Sequence, residues 1–268
     1  MSENDSTAAL STENSMNPKR AFTLVELLVV IAIVGLLAAL LLPVLGNAKG
    51  RAQWVTCANN LRQINLGIRL YADDFADRSP GLTNGGLVWM RYREMLQNYL
   101  GLNGPPSPRD KVFACPADRF CYSLEGSGGV KYTAAGHYEQ SNNFYSSYEF
   151  NGANEATNIS QFYPEIKSLP GISGRKLTSI KNPARTILVA EATAFAPYSW
   201  HEPHPPTVMP DGFEMPFFNN ARNVASFVDG HVGYIKIYYN TSTNAFGFFS
   251  LAFFYDPPVG YDYQWSGD

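Results

Sequence analysis

The chain has 268 residues, 45% of them hydrophobic and 16% charged, with a formal net charge of -3. This composition can fill a packed core and excludes wholesale disorder. The slight acidic balance leaves no electrostatic footprint for a nucleic-acid partner.

Residues 1–20 are polar and end in Lys19-Arg20. Met1–Ser15 reads as disordered or untranslated, because Met16 could start a short basic leader, Met16-Asn17-Pro18-Lys19-Arg20-Ala21. From Phe22 to Leu45 the only ionisable side chain is Glu26. As a helix this run would be about 36 Å long, enough for a hydrocarbon core of about 30 Å. Lys19-Arg20 on its N-terminal flank keep that side cytoplasmic, which puts the bulk of the protein across the membrane. A cleaved secretory signal peptide is the rival reading, but its apolar core is shorter and ends at a small-x-small site. Here the run continues into Asn47–Phe75, where Val55, Ala58, Leu61, Ile64, Ile68, Tyr71 and Phe75 recur at three- and four-residue steps. That spacing predicts an amphipathic helix, and Pro43 predicts a bend where the two halves join.

After Asp77 the periodicity changes. Arg78–Gly81, Thr83–Gly86 and Gly104–Pro108 read as loops, and Val88–Leu100 as a short helix. Strand expectations fall on Val112–Cys115, Ser147–Asn151, Thr186–Glu191, Val224–Phe227 and His231–Tyr239. The expected fold class is α+β: a long N-terminal helix, transmembrane then amphipathic, packed on a C-terminal antiparallel β-sheet with long loops. The expected organisation is a leader over 1–21, a membrane and assembly helix over 22–45, its amphipathic continuation over 46–77 and an exported β-rich domain over 78–268.

Glu26 is the residue that demands an explanation. A carboxylate near the start of an apolar helix costs several kcal/mol in lipid unless it is paired. A cut between Ala21 and Phe22 would create an α-ammonium at the membrane depth of a neighbouring subunit's Glu26. Pairing the two would satisfy both charges and fix the axial register between subunits. The run Lys19-Arg20-Ala21-Phe22-Thr23-Leu24-Val25-Glu26-Leu27-Leu28-Val29-Val30-Ile31 resembles the cleavage and methylation signal of type IV prepilins and type II secretion pseudopilins. The resemblance implies cleavage by a prepilin peptidase, N-methylation of Phe22, a register role for Glu26 and a helix-bending role for Pro43. It also implies an inner-membrane, single-pass precursor with a periplasmic domain. Its partners would be copies of itself, other pseudopilins, an inner-membrane assembly platform and membrane lipid. One departure is that Ala21 stands where the family usually has Gly before the cut.

A second set resembles a pseudopilin-like subfamily whose C-terminal domain is named for an H-x9-DG motif. It comprises Arg51-Ala52-Gln53, Cys57, Asn60–Ile64, Phe113–Asp118, Asn182-Pro183 and Phe227–Val232. Asp229-Gly230 is present, but Asn219 occupies the signature His position. Read on its own, Asp229-Gly230 between two apolar runs is a hairpin turn signal.

Cys57, Cys115 and Cys121 are odd in number and form no paired C-x-x-C. One bridge among them and three reduced, buried thiols both remain open. His201-Glu202-Pro203-His204, with His137 and His231 elsewhere, has no helical zinc spacing and reads as surface histidines. Asp256, Asp262 and Asp268, like Asp211 with Glu214, offer only a weak case for calcium, so no cofactor is expected. No nucleophile elbow, phosphate loop or dinucleotide fingerprint occurs, and no enzyme is expected. The expectation is therefore a structural filament subunit. The alternative is a membrane-anchored protein that binds a glycan or secreted substrate on an aromatic face.

Overall fold

A computed structural model describes residues 23–81, 88–124, 130–155, 168–196, 198–202, 207–208, 214–215, 217–239 and 252–268. The chain divides into two compact units, Met1–Asn47 and Ala48–Asp268.

One helix, α1, runs through Leu24–Asp74 and includes Pro43. Proline there has no N–H to donate, so the hydrogen bond to the Ala39 carbonyl is absent. Residues 23–52 are all exposed. From residue 53 on, α1 becomes one-sided, burying Cys57, Ala58, Leu61, Ile64, Ile68 and Ala72. The face is rotated from the expected one. Val55 and Phe75 are exposed, and Phe75 stacks on the half-buried Tyr71 with ring centroids 4.2 Å apart. The helix stops at Asp74, short of the expected 77, because Ala76 and Asp77 take left-handed conformations.

The main sheet has four antiparallel strands in the order β3–β4–β7–β8. They are β3 (Tyr148–Phe150), β4 (Ile187–Glu191), β7 (Ala221–Phe227) and β8 (Val232–Ile237). A register shift between Ile187 and Val189 interrupts the β4–β7 ladder. One face packs Tyr148, Phe150, Leu188 and Val224 into the same core as Leu61, Ile64 and Ile68 of α1. The other face, with Ala225, Phe227 and Ile237, is covered by Phe195, Phe253, Tyr263 and Trp265. Alternation along β7 produces this division: Val224 faces the helix, while Ala225 and Phe227 face away. A long N-terminal helix plus antiparallel sheet is thus the α+β, pilin-like arrangement expected from sequence.

Other segments differ from expectation. The helix α2 covers only Val88–Leu96, followed by a 3-10 turn at Asn98–Leu100. Val112–Cys115 is not a strand: Lys111–Phe113 is a 3-10 turn, and Asn60 and the Ser147 hydroxyl take up the adjacent backbone groups. Two small hairpins were not anticipated, β1 (Cys121–Leu124) with β2 (Val130–Thr133) and β5 (Thr207–Val208) with β6 (Glu214–Met215). A one-turn helix, α3 (Ala192–Phe195), follows β4 directly.

Arg93 anchors the loops beside α2. It is fully buried, donates to the carbonyls of Phe144 and Ser107 at 2.7 and 2.8 Å, and also reaches the Tyr145 carbonyl and the Asp110 carboxylate. Its guanidinium lies 4.4 Å from the centre of the Phe113 ring. A fixed, planar set of donors suits this convergence of loop carbonyls better than a lysine would.

Candidate functional site

The start of α1 is built around Thr23 and Glu26. The Thr23 amide and hydroxyl donate to Glu26 Oε2 at 2.9 and 2.8 Å, and the Thr23 hydroxyl oxygen accepts from the Glu26 amide at 3.2 Å. This is a capping box, which satisfies amides the first turn would otherwise leave open. The Thr23-x-x-Glu26 spacing is legible in the sequence, yet the charge of Glu26 alone does not reveal that the same carboxylate caps the helix. Ala21 and Phe22, like Lys19 and Arg20, lie outside the described residues.

Beyond the cap, the exposed helix carries Leu27, Leu28, Ile31, Val34, Leu37 and Leu41 with about half or more of each surface open. Monomeric soluble proteins rarely expose contiguous apolar area on this scale. By length and composition α1 can cross a membrane.

A second centre lies where the β7–β8 hairpin meets α1. Residues 228–231 connect the strands, with the Gly230 amide donating to the Phe227 carbonyl at 2.9 Å and the Phe227 amide to the His231 carbonyl at 3.0 Å. Gly230 has φ of +102°, a region that favours glycine. Asp229 accepts from the His231 amide at 3.0 Å and contacts its ring nitrogen at 2.6 Å, while that ring stacks on Phe227 at 4.2 Å. From α1, Asn65 donates to the Phe227 carbonyl at 2.8 Å and Arg69 donates to the Val228 carbonyl. The hairpin's other end is held by Asn219. Its Oδ1 accepts from the amides of Asn220 and Tyr239 at 2.9 and 3.0 Å and from the Tyr261 hydroxyl at 3.3 Å. Asn219 therefore works as a backbone clasp in the place where the resembled subfamily carries its His.

The third centre is buried. Cys57 on α1 is bonded to Cys115, with Cα atoms 5.2 Å apart, and Cys121 is free and buried. Next to the bridge lies Glu191, at the end of β4 and fully buried. One of its oxygens, Oε1, sits 3.2 Å from Cys115 Sγ and 2.9 Å from His201 Nε2; Oε2 accepts from the Val224 amide at 2.8 Å. The reading of His201 as a surface histidine is corrected here, because its side chain is 5% exposed and packs against Glu191. Its loop had hidden this: the prolines after Glu202 marked an irregular segment but not one folded inward. His137 is also inward, with Nδ1 2.7 Å from the Ser146 carbonyl and Nε2 3.8 Å from Glu149. Burial lowers the His137 pKa to about 4 and raises that of Glu149 to about 8. His204 and Asp211 lie outside the described residues.

The acidic residues near the C-terminus do not converge. Asp256 is occupied by the Trp265 and Ser266 amides, at 2.6 and 2.9 Å. Asp268 pairs with Arg175 at 3.0 Å, and Asp262 lines a shallow cavity that also holds Arg222 and Lys236.

Residues 16–42 match the family model described as the prokaryotic N-terminal methylation motif. With the long helix that begins inside it at Leu24, this match supports a type IV pilin- or pseudopilin-like protein. It implies processing by a prepilin peptidase and pilin-like polymerisation. Comparison with curated proteins and with solved structures finds no match.

Proposed function

We propose that the chain is a structural subunit of a type II secretion pseudopilus or type IV pilus-like filament. In this reading it is cut between Ala21 and Phe22, N-methylated on Phe22 and held in the inner membrane by residues 22–45 with its C-terminal domain in the periplasm. It is then polymerised through that same segment. It acts by assembly rather than catalysis and takes no cofactor for this role.

The observation that carries the proposal is Glu26. It is the only ionisable side chain between Phe22 and Leu45, and it is exposed at the first turn of an exposed apolar helix. Thr23 engages its Oε2 oxygen, which orients the carboxylate toward the helix start, where the Phe22 ammonium of a neighbouring copy would sit. In a lipid-excluded bundle such a pair sets register more than it adds stability.

Glu26→Gln keeps an oxygen for Thr23 but removes the charge. The expected outcome is normal membrane insertion and an N-methyl-Phe22 peptide by mass spectrometry, with no filaments by electron microscopy and no ladder of self-crosslinks. Filaments at the normal level from this variant would overturn the proposal.

A second reading, a membrane-anchored binder of a glycan or secreted substrate, draws support from Tyr132. This ring is 58% exposed and stacks against Phe120. Monomers that retain ligand, in place of self-crosslinks, would favour it.

A further inference from the structure

Cys57, Cys115, Glu191 and His201 each offer one ligand atom, and all four atoms lie within 4.8 Å of one another. They come from α1, the loop before β1, the end of β4 and the loop after α3, so the tertiary fold has gathered them. Two features are poorly explained by a plain structural bridge. A sulfur in a disulfide has no proton to donate, yet the Glu191 carboxylate lies 3.2 Å from Cys115 Sγ, fully buried. The histidine that shares this carboxylate also presents the same nitrogen, Nε2, 3.8 Å from that sulfur.

The spacing has a simple chemical meaning. A tetrahedral zinc site with ligand bonds of about 2.0–2.3 Å has ligand-to-ligand edges of about 3.3–3.8 Å. The three edges among Cys115 Sγ, Glu191 Oε1 and His201 Nε2 are 3.2, 3.8 and 2.9 Å. Only Cys57, now bonded to Cys115, would have to swing away. Two thiolates, one imidazole and one carboxylate form a borderline-soft donor set that suits zinc and disfavours calcium or magnesium.

We propose that these four residues form a redox-gated site for a thiophilic divalent cation, with zinc as the fitting ion. With the bridge closed the site is shut. A dithiol reductant opens it: two electrons and two protons convert the disulfide into two thiols while the reductant becomes its own disulfide. Capture of the cation then releases both thiol protons to solvent, and the metal takes the two thiolates, Glu191 Oε1 and His201 Nε2. Glu191 is oriented for this by the Val224 amide on its other oxygen. The site is independent of the filament reading and is distinct from the helix start.

The test uses the full chain in detergent micelles, bridged or reduced anaerobically, titrated with cobalt(II) as a spectroscopic probe and then with zinc. The reduced, folded chain should bind one equivalent of cobalt with thiolate charge-transfer absorption and intense tetrahedral visible bands, displaced by zinc. The bridged chain should show neither. Cys121→Ser should leave the signal unchanged, whereas Cys57→Ser should abolish the two-thiolate spectrum, and Glu191→Gln or His201→Ala should weaken binding at least tenfold. Wild-type chain in its two redox states needs no substitution, so a variant that fails to fold does not decide the matter. The proposal is overturned if the reduced chain, folded by circular dichroism, gives no charge-transfer band. It is equally overturned if the band persists at its full two-thiolate intensity in Cys57→Ser, or if reduction itself unfolds the chain.

Discussion

At the scale of single residues, the 48–268 unit keeps several ionisable groups away from water. Glu149, on β3, is 7% exposed, and burial raises its pKa from 4.5 to about 8. His137, 3.8 Å away, is lowered from 6.5 to about 4 by the same cause. Asp118 is raised from 3.8 to about 7 by burial, against hydrogen bonds from Ser147, His137 and Tyr138 that favour its charged form. A carboxyl whose folded pKa is raised stabilises the fold fully below its unfolded pKa and loses that contribution as pH rises through the folded value. Glu149 thus loses stability between about pH 4.5 and 8, and Asp118 between about 3.8 and 7. His137 acts oppositely, losing stability as pH falls from about 6.5 to 4, so it masks part of the acid effect in the lower window. Above pH 6.5 the carboxyls act alone. The wild-type chain should therefore lose stability toward denaturant between about pH 6.5 and 8, and Glu149→Gln should flatten that slope. An unchanged slope in the variant would show that Glu149 is ionised in the folded protein. None of this was visible in the sequence, where Glu149 is one charge in an aromatic stretch. Burial is a property of the packed fold, not of local composition.

At the scale of elements, the β7–β8 hairpin shows what sequence can and cannot convey. Asp229-Gly230 signals a turn because few residues tolerate the positive φ found at Gly230, so the local signal and the structure agree. What the turn is fastened to depends on residues 162 positions away: Asn65 reaches the Phe227 carbonyl across the helix–sheet interface. Such long-range pairing leaves no local periodicity. The same limit explains the departure at Val112–Cys115. Its short continuous apolar run, Val112-Phe113-Ala114-Cys115, suits a strand, but the Cys57 bridge and Asn60 hold that segment as a turn against α1. The β1–β2 hairpin has strands of only four residues each, too short for alternation to stand out in the sequence. Asn65→Ala should remove that donor from the Phe227 carbonyl, which keeps the Gly230 amide, and cost about 0.5–1.5 kcal/mol by chemical denaturation. Asn65→Ala measured within a few tenths of wild type would mean that Arg69 alone fastens the hairpin to α1.

At the scale of the whole molecule, the two units answer to different solvents, and the sequence states this division more plainly than any other feature. Residues 23–52 are exposed and apolar apart from Thr23, Glu26, Asn47, Lys49 and Arg51, a pattern that suits a membrane anchor. The 48–268 unit carries its own two-faced core and one covalent tie, from Cys57 in α1 to Cys115, 58 positions along the chain. Which cysteines would pair could not be read from their spacing, since all three are buried and only tertiary packing distinguishes them. Closing a loop of that length removes unfolded-state entropy worth about 4 kcal/mol, a large share of a domain's net stability of about 5–15 kcal/mol. Reduction should therefore lower the unfolding free energy of the 48–268 unit by about 2–5 kcal/mol without unfolding it. Cys57→Ser should lower it by a similar amount, and membrane insertion through the Leu24–Leu45 stretch should be unaffected in both. Denaturant titration in micelles with and without a dithiol measures the first, and carbonate extraction of membranes the second. A loss of insertion on reduction would show that the anchor depends on the fold of the C-terminal unit. A stability change near zero would show that the oxidised and reduced chains fold to the same depth, with the bridge incidental to packing.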